Sequence, residues 1–132
     1  MKELIAKEVM VESVVTIKKA ALVKDAMTDL LYGSFSGLPV IDDDNKLVGI
    51  ITEFDIMDAM LQGKNLETIR VFEIMTKDVH TAGQDTPLME IAKTMKEKNL
   101  IRIPILEGEK LVGIVGRCDI LKGLIQPKLV RR

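Results

Sequence analysis

The amino-acid sequence predicts an α+β fold made of two copies of one β-α-β-β-α unit packed with pseudo-twofold symmetry. The segment Lys46 to Ile56, Lys-Leu-Val-Gly-Ile-Ile-Thr-Glu-Phe-Asp-Ile, returns at Lys110 to Ile120 as Lys-Leu-Val-Gly-Ile-Val-Gly-Arg-Cys-Asp-Ile. Around each copy the hydrophobic pattern changes period in the same order, with Pro39 answered by Pro104 and Asp55 by Asp119. Gln62-Gly63-Lys64-Asn65, the most linker-like stretch, divides the halves. At 132 residues in all, each half is too small to bury a good core alone, so the two are expected to pack together.

The elements follow in chain order. Leu4, Ile5 and Val9 are spaced by Lys and Glu as in a short amphipathic helix over residues 1–10. Val14 to Ile17, Val-Val-Thr-Ile, is β-branched and predicts a buried strand. Leu22, Val23, Ala26, Met27, Leu30 and Leu31 mark one helical face, which Tyr32-Gly33-Ser34 ends. Gly37 to Ile41 and Leu47 to Ile51 flank the polar turn Asp42-Asp43-Asp44-Asn45 and predict a hairpin. A helix from Phe54 to Leu61 carries Ile56, Met57, Met60 and Leu61 on its inner side.

The second half repeats this order. Ile74-Met75-Thr76 answers Val9-Met10-Val11, and a strand is expected to contain His80. Asp85-Thr86-Pro87 reads as a helix start, with Thr86 able to cap and Pro87 at the first helical position. That helix carries Leu88, Ile91, Ala92 and Met95. The acidic turn Glu107-Gly108-Glu109 is one residue shorter than its counterpart, and turns are where length varies cheaply. The expected boundaries are a first repeat with its N-terminal helix over 1–61, a linker and entry helix over 62–73, a second repeat over 74–126 and a tail over 127–132.

Composition narrows the function classes. A net charge of -1, with three Phe, one Tyr and no Trp, offers neither broad attraction to phosphate backbones nor stacking platforms, so no nucleic-acid partner is expected. No run approaches the roughly 20 apolar residues of a membrane helix, and the charged first turns do not resemble a signal peptide. No membrane partner is expected, and the expected location is cytoplasmic. Cys118 and His80 are each the only residue of their kind, too few for a disulfide or a structural zinc site. No nucleophile and base, metal cluster or Gly-rich phosphate loop is present, so no enzyme is expected. Asp42-Asp43-Asp44 lacks the glycine and distal Glu of a calcium loop and reads as a solvated turn. In each repeat the acidic residue after the glycine-broken strand falls in the first turn of a helix, where the dipole and free N–H groups favour a polar or anionic ligand.

The repeated entrances Val9-Met10 and Ile74-Met75-Thr76, the middle strands Leu38-Pro39-Val40-Ile41-Asp42 and Ile103-Pro104-Ile105, and the Lys-Leu-Val-Gly-Ile segments together resemble a tandem pair of CBS domains, a Bateman module. The resemblance covers nearly the whole chain. It implies a module that binds AMP, ADP or ATP, or S-adenosylmethionine, between its repeats and signals ligand or energy state to a separate regulated protein.

The family's Gly-x-x-Thr/Ser-x-x-Asp pattern is complete in Gly49-Ile-Ile-Thr52-Glu-Phe-Asp55, so the resemblance assigns Asp55 to ribose and Thr52 to ribose or phosphate. Gly113-Ile-Val-Gly116-Arg-Cys-Asp119 keeps the ribose partner Asp119 but has glycine in place of the hydroxyl. Arg102, two residues before Pro104, takes the family's phosphate-binding place, where the first copy has Gly37. Arg102 would complete the Thr52 and Asp55 site, and Arg117 could supply charge to the other. One competent site and one degraded site are therefore expected. The resemblance also implies a homodimer, with Ile56-Met57-Met60 and Ile120-Leu121-Leu124 as contact faces. The alternatives are a ligand-free structural dimerisation module and an S-adenosylmethionine-binding module.

Overall fold

The computed structural model describes residues 3–33 and 35–125. The expected 127–132 tail, with residues 1, 2, 34 and 126, lies outside the described residues. The chain divides into two compact units, one made of 15–79 and the other of the N-terminal stretch to Val14 together with the residues from His80 onward.

In the unit of 15–79, β1 (Ile17–Lys18) leads to α2 (Val23–Gly33), then β2 (Gly37–Ile41), β3 (Leu47–Thr52) and α3 (Glu53–Leu61). The sheet runs β1-β2-β3, parallel between the first two and antiparallel between the last two. The other unit repeats it with β4 (Ala82–Gly83), α5 (Leu88–Lys98), β5 (Arg102–Glu107), β6 (Lys110–Gly116) and α6 (Arg117–Ile125). Both hairpin ladders shift register at the same place, between Val40 and Ile41 and between Ile105 and Leu106. The architecture is thus α+β with the predicted element order present twice.

Each entrance helix belongs to the compact unit of the other repeat rather than to that of the repeat it precedes. The short entrance helix α1 (Ala6–Val9) packs in the unit of α5 and β6, and α4 (Val71–Ile74) packs in the unit of α2 and β3. Their backbone bonds correspond. The N–H groups of Val71 and Phe72 donate to the carbonyls of Ala21 and Lys19 at 2.8 and 3.0 Å, and those of Ala6 and Lys7 donate to Thr86 and Gln84 at 2.9 Å each. Apolar burial drives both dockings. Val71 joins Val23, Ala26, Leu38, Val40 and Ile51 in one core, and Leu4, Ala6 and Met10 join Leu88, Ile91, Ile103, Ile105 and Val115 in the other.

After each entrance helix the chain pairs with the glycine-containing strand. Ile50 and Thr76 exchange both backbone bonds at 2.8 Å, and Val11 and Ile114 do so at 2.9 Å. The repeated glycine is what permits this approach. A Cβ on Gly49 would stand 2.7 Å from the Thr76 carbonyl oxygen and 2.8 Å from Met75 Sδ, and one on Gly113 would stand 2.5 Å from Met10 Sδ.

Several elements differ from expectation. Val14 to Thr16 is not strand; β1 begins only at Ile17, where pairing with Val40 starts. His80 lies outside any strand, two residues before β4. Helix α5 begins at Leu88 with Pro87 as its cap, and the Thr86 hydroxyl instead accepts the Gly83 N–H at 2.9 Å. On α3 the buried residue is Ala59, whereas Met57, Met60 and Leu61 are exposed, as is Leu31 on α2. A sheet of three strands covers only a narrow stripe of each helix, so the rest of the apolar width is left outside the unit. Asp42 closes its turn by accepting the N–H groups of Lys46 and Asp44 at 2.9 Å each. These bonds, that of Lys46 foremost, hold its carboxyl below the usual aspartate range although burial opposes them. The stability this adds is present above the unfolded aspartate pKa and is lost as pH falls through the lowered value.

Gly49→Ala and Gly113→Ala should each destabilise the protein by about 1–3 kcal/mol in urea denaturation, through overpacking. Gly49→Ala should cost more, because its obstacle is a backbone carbonyl held by the Ile50–Thr76 pair, while at Gly113 the obstacle is a flexible Met side chain. Equal costs would contradict this account.

Candidate functional site

Each hairpin ends where the second strand turns directly into a helix, and the signature aspartate falls at the third residue of that helix. In the unit of 15–79, Thr52 has extended backbone angles and caps α3, its hydroxyl accepting the Asp55 N–H at 3.3 Å. Asp55 answers. Its Oδ2 accepts the Thr52 N–H at 2.9 Å and the Thr52 hydroxyl at 3.1 Å. This reciprocal arrangement satisfies donors that a helix start leaves open. A further partner comes from the entrance segment, whose Thr76 hydroxyl donates to Asp55 Oδ1 at 2.8 Å.

The corresponding turn of the other unit is barer. Asp119 Oδ2 accepts the Gly116 N–H at 2.7 Å, and no second bond to Asp119 is present among the described residues. Gly116 offers no hydroxyl, and the residue in the place of Thr76 is Val11. The expected contrast between the sites therefore has two sides. Asp55 has the hydroxyl neighbour but is already engaged at both oxygens, whereas Asp119 lacks that neighbour and retains open acceptor positions.

The basic residues fall in the unit of Asp119. Arg102, half-buried at the start of β5, stands opposite Gly116 in the ladder, just as Gly37 stands opposite Thr52. The exposed Arg117 opens α6, and its N–H donates to the Ile101 carbonyl at 3.2 Å. Arg102, Gly116, Arg117 and Asp119 thus share one end of one unit, and Thr52, Asp55 and Thr76 belong to the other. The sequence marks Thr76 only as part of a repeat entrance and not as a site residue. The available signal was that the two entrances differ, Met75-Thr76 against Met10-Val11.

Concavities within the unit of 15–79 are of different chemistry. One of about 210 Å³ beside Asp55 is lined also by Asp58, Gln62, Lys64 and Glu73. It is below the about 300–1,000 Å³ of a typical ligand pocket, and its carboxylates oppose a phosphate. A groove of about 820 Å³ between α2 and α3, lined by Met27, Leu31, Tyr32, Phe35, Ile56 and Met57, is mainly apolar and does not include Asp55. Cys118 is exposed. No group of side chains able to hold a metal ion occurs among the described residues, and no helix among them is long and apolar enough to cross a membrane.

Two β-α-β-β-α units, each with an aspartate in the first turn of its last helix, define a CBS domain pair, and the CBS domain profile matches residues 6–62 and 71–126. The chain belongs to the CBS domain family. Among similar proteins, the inosine-5′-monophosphate dehydrogenase of Methanocaldococcus jannaschii is 37% identical over 127 residues, which cover 96% of this chain but 25% of that enzyme. An uncharacterised protein of the same organism is 33% identical over 116 residues, 88% of this chain and 41% of that protein. The chain thus spans well under half the length of these relatives. Among solved structures, the CBS domain pair of protein MJ0100 in complex with 5′-methylthioadenosine and S-adenosyl-L-methionine is 31% identical with a TM-score of 0.79, covering 96% of this chain and 99% of that one. The structure of CBSX2 in complex with AMP is 25% identical with a TM-score of 0.81, covering 94% and 98%.

The bonding around the two aspartates makes a stability prediction. Asp55→Ala should destabilise the protein more than Asp119→Ala, since it strands the Thr52 N–H and removes two hydroxyl partners where Asp119→Ala removes one N–H partner. Thr52→Ala should cost about 0.5–2 kcal/mol as a lost helix cap. Guanidinium melts of the three variants test this, and a larger loss for Asp119→Ala would refute it.

Proposed function

We propose that the chain is a regulatory module that binds an adenosine nucleotide, AMP, ADP or ATP, and signals its presence to a regulated protein. The observation that carries this reading is the aspartate in the first turn of α3 and again of α6, in a domain pair whose 31% identical structural relative holds two adenosine compounds. A carboxylate accepts from both hydroxyls of a ribose, which AMP, ATP and S-adenosylmethionine share. Asp55 and Asp119 are the proposed ribose partners, and Thr52 a ribose or phosphate partner. Arg102 and Arg117 are the proposed phosphate partners, because a guanidinium donates two bonds to an oxyanion at once. An S-adenosylmethionine-binding module is the second reading, favoured by the ligands of the MJ0100 pair. Catalysis by the chain itself is not part of either reading. Enzymes among the longer relatives support a regulatory role.

Calorimetry with AMP, ATP and S-adenosylmethionine tests the reading. Wild-type protein should bind at least one of them, and an Asp55→Ala, Asp119→Ala double variant should bind none. No heat from wild-type protein at millimolar ligand would sink the proposal. Arg102→Ala should weaken ATP while leaving adenosine unchanged, and ATP affinity should fall with added salt; an equal loss for both ligands would remove Arg102 from the phosphate.

We also propose that the module forms a homodimer through its helices. Of the expected contact faces, Met57, Met60, Leu121 and Leu124 are exposed, with Phe54 and Ile125 beside them 75% and 76% exposed, whereas Ile56 and Ile120 are partly buried against the cores. Sedimentation should show a dimer that Met57→Glu with Leu124→Glu converts to monomer, and a monomeric wild type would overturn this.

A further inference from the structure

A carboxylate presents two oxygens with about four acceptor positions. At Asp55 three are taken, two on Oδ2 by the Thr52 N–H and hydroxyl and one on Oδ1 by the Thr76 hydroxyl. A vicinal diol held by one carboxylate needs two. It therefore cannot be seated on Asp55 unless a resident donor leaves.

The three donors are not equally replaceable. The Thr52 N–H is fixed at the start of α3, and the Thr52 hydroxyl is held from its other side by the Asp55 N–H. Thr76 is exposed, and its backbone stays anchored to Ile50 at 2.8 Å in both directions whatever its side chain does. Its hydroxyl can turn to water at the cost of one rotamer change. The other unit supplies the comparison, because Val11 holds the same ladder position opposite Ile114 and has no hydroxyl to offer Asp119.

We propose that Thr76 is a specificity-determining positioning residue: its hydroxyl occupies the place of a ribose hydroxyl on Asp55 in the free protein and is displaced when a vicinal diol binds. This rests on the adenosine-binding reading above. Thr76 thereby sets a threshold for the Asp55 site that the Asp119 site does not have, and the threshold concerns the diol alone.

The experiment uses the full chain with Asp119→Ala, so that Asp55 is the remaining carboxylate site. Calorimetry compares AMP with a dideoxy-AMP lacking both ribose hydroxyls. Thr76→Val should tighten AMP about twofold to tenfold, the range of one exchanged hydrogen bond, and leave the dideoxy compound unchanged. Thr76→Ser, which restores the hydroxyl, should bind AMP as the parent does. An unchanged or weakened AMP affinity in Thr76→Val overturns the inference, as does an equal shift for both ligands, which is what a general packing effect produces. If Thr76→Val fails to fold, Thr76→Ala removes the same hydroxyl and is read in the same way. AMP binding by wild type with a neutral Thr76 variant overturns this inference only, whereas no AMP binding by wild type or any variant removes the ligand reading and this inference together.

Discussion

The contact on which the rest depends is the passage of an entrance segment across a glycine. At Gly49 and again at Gly113 a strand lets a Met side chain lie against bare backbone, and the next residue exchanges two hydrogen bonds with the following Ile. The apolar sequel is the burial of Val71 in one core and of Leu4, Ala6 and Met10 in the other. A two-residue first strand gives each three-stranded sheet little of its own. The entrance helix supplies hydrogen bonds and apolar cover that so short a strand cannot, and the glycine is the condition for its docking.

That docking reaches the aspartates. Because the entrance runs alongside the glycine strand, the residue after its methionine pairs with Ile50 or Ile114, two residues before that strand ends and the last helix begins. A Thr there bonds Asp55, and a Val there leaves Asp119 with its Gly116 bond. Two sites built on the same backbone plan thus differ in how many acceptor positions stay open. The difference comes from residues far apart in sequence, and it runs opposite to the one within the Gly-x-x-Thr/Ser-x-x-Asp pattern. The half with the fuller pattern is also the half whose carboxylate is more fully engaged.

The large apolar residues on the outer faces of α2, α3 and α6 follow from the same economy of strands. A narrow sheet can cover Val23, Ala26 and Leu30 on α2, but Met27 and Leu31 on the same helix remain exposed. Periodicity marks an apolar stripe without saying which part of its width meets the sheet and which part awaits another surface. That is why Met60 and Leu61 read as core in sequence and are exposed in the unit.

The sequence by itself determined the α+β class, the twofold repetition, the hairpins around Asp42 to Asn45 and Glu107 to Glu109, and the turns that carry Asp55 and Asp119. These rest on local period, turn chemistry and self-similarity, all readable within about ten residues. Only the tertiary structure decided that Val9-Met10 belongs in space with Gly113 and Ile74-Met75 with Gly49, because a close approach between distant segments leaves no periodic mark. It alone decided that Thr86 bonds Gly83 rather than capping a helix, and that Thr76 reaches Asp55, since hydrogen bonds go to whichever donor the folded backbone brings within 3 Å or so. The glycine in Lys-Leu-Val-Gly-Ile was legible as a repeat; its reason, a neighbour 2.7 Å from where a Cβ would stand, was not.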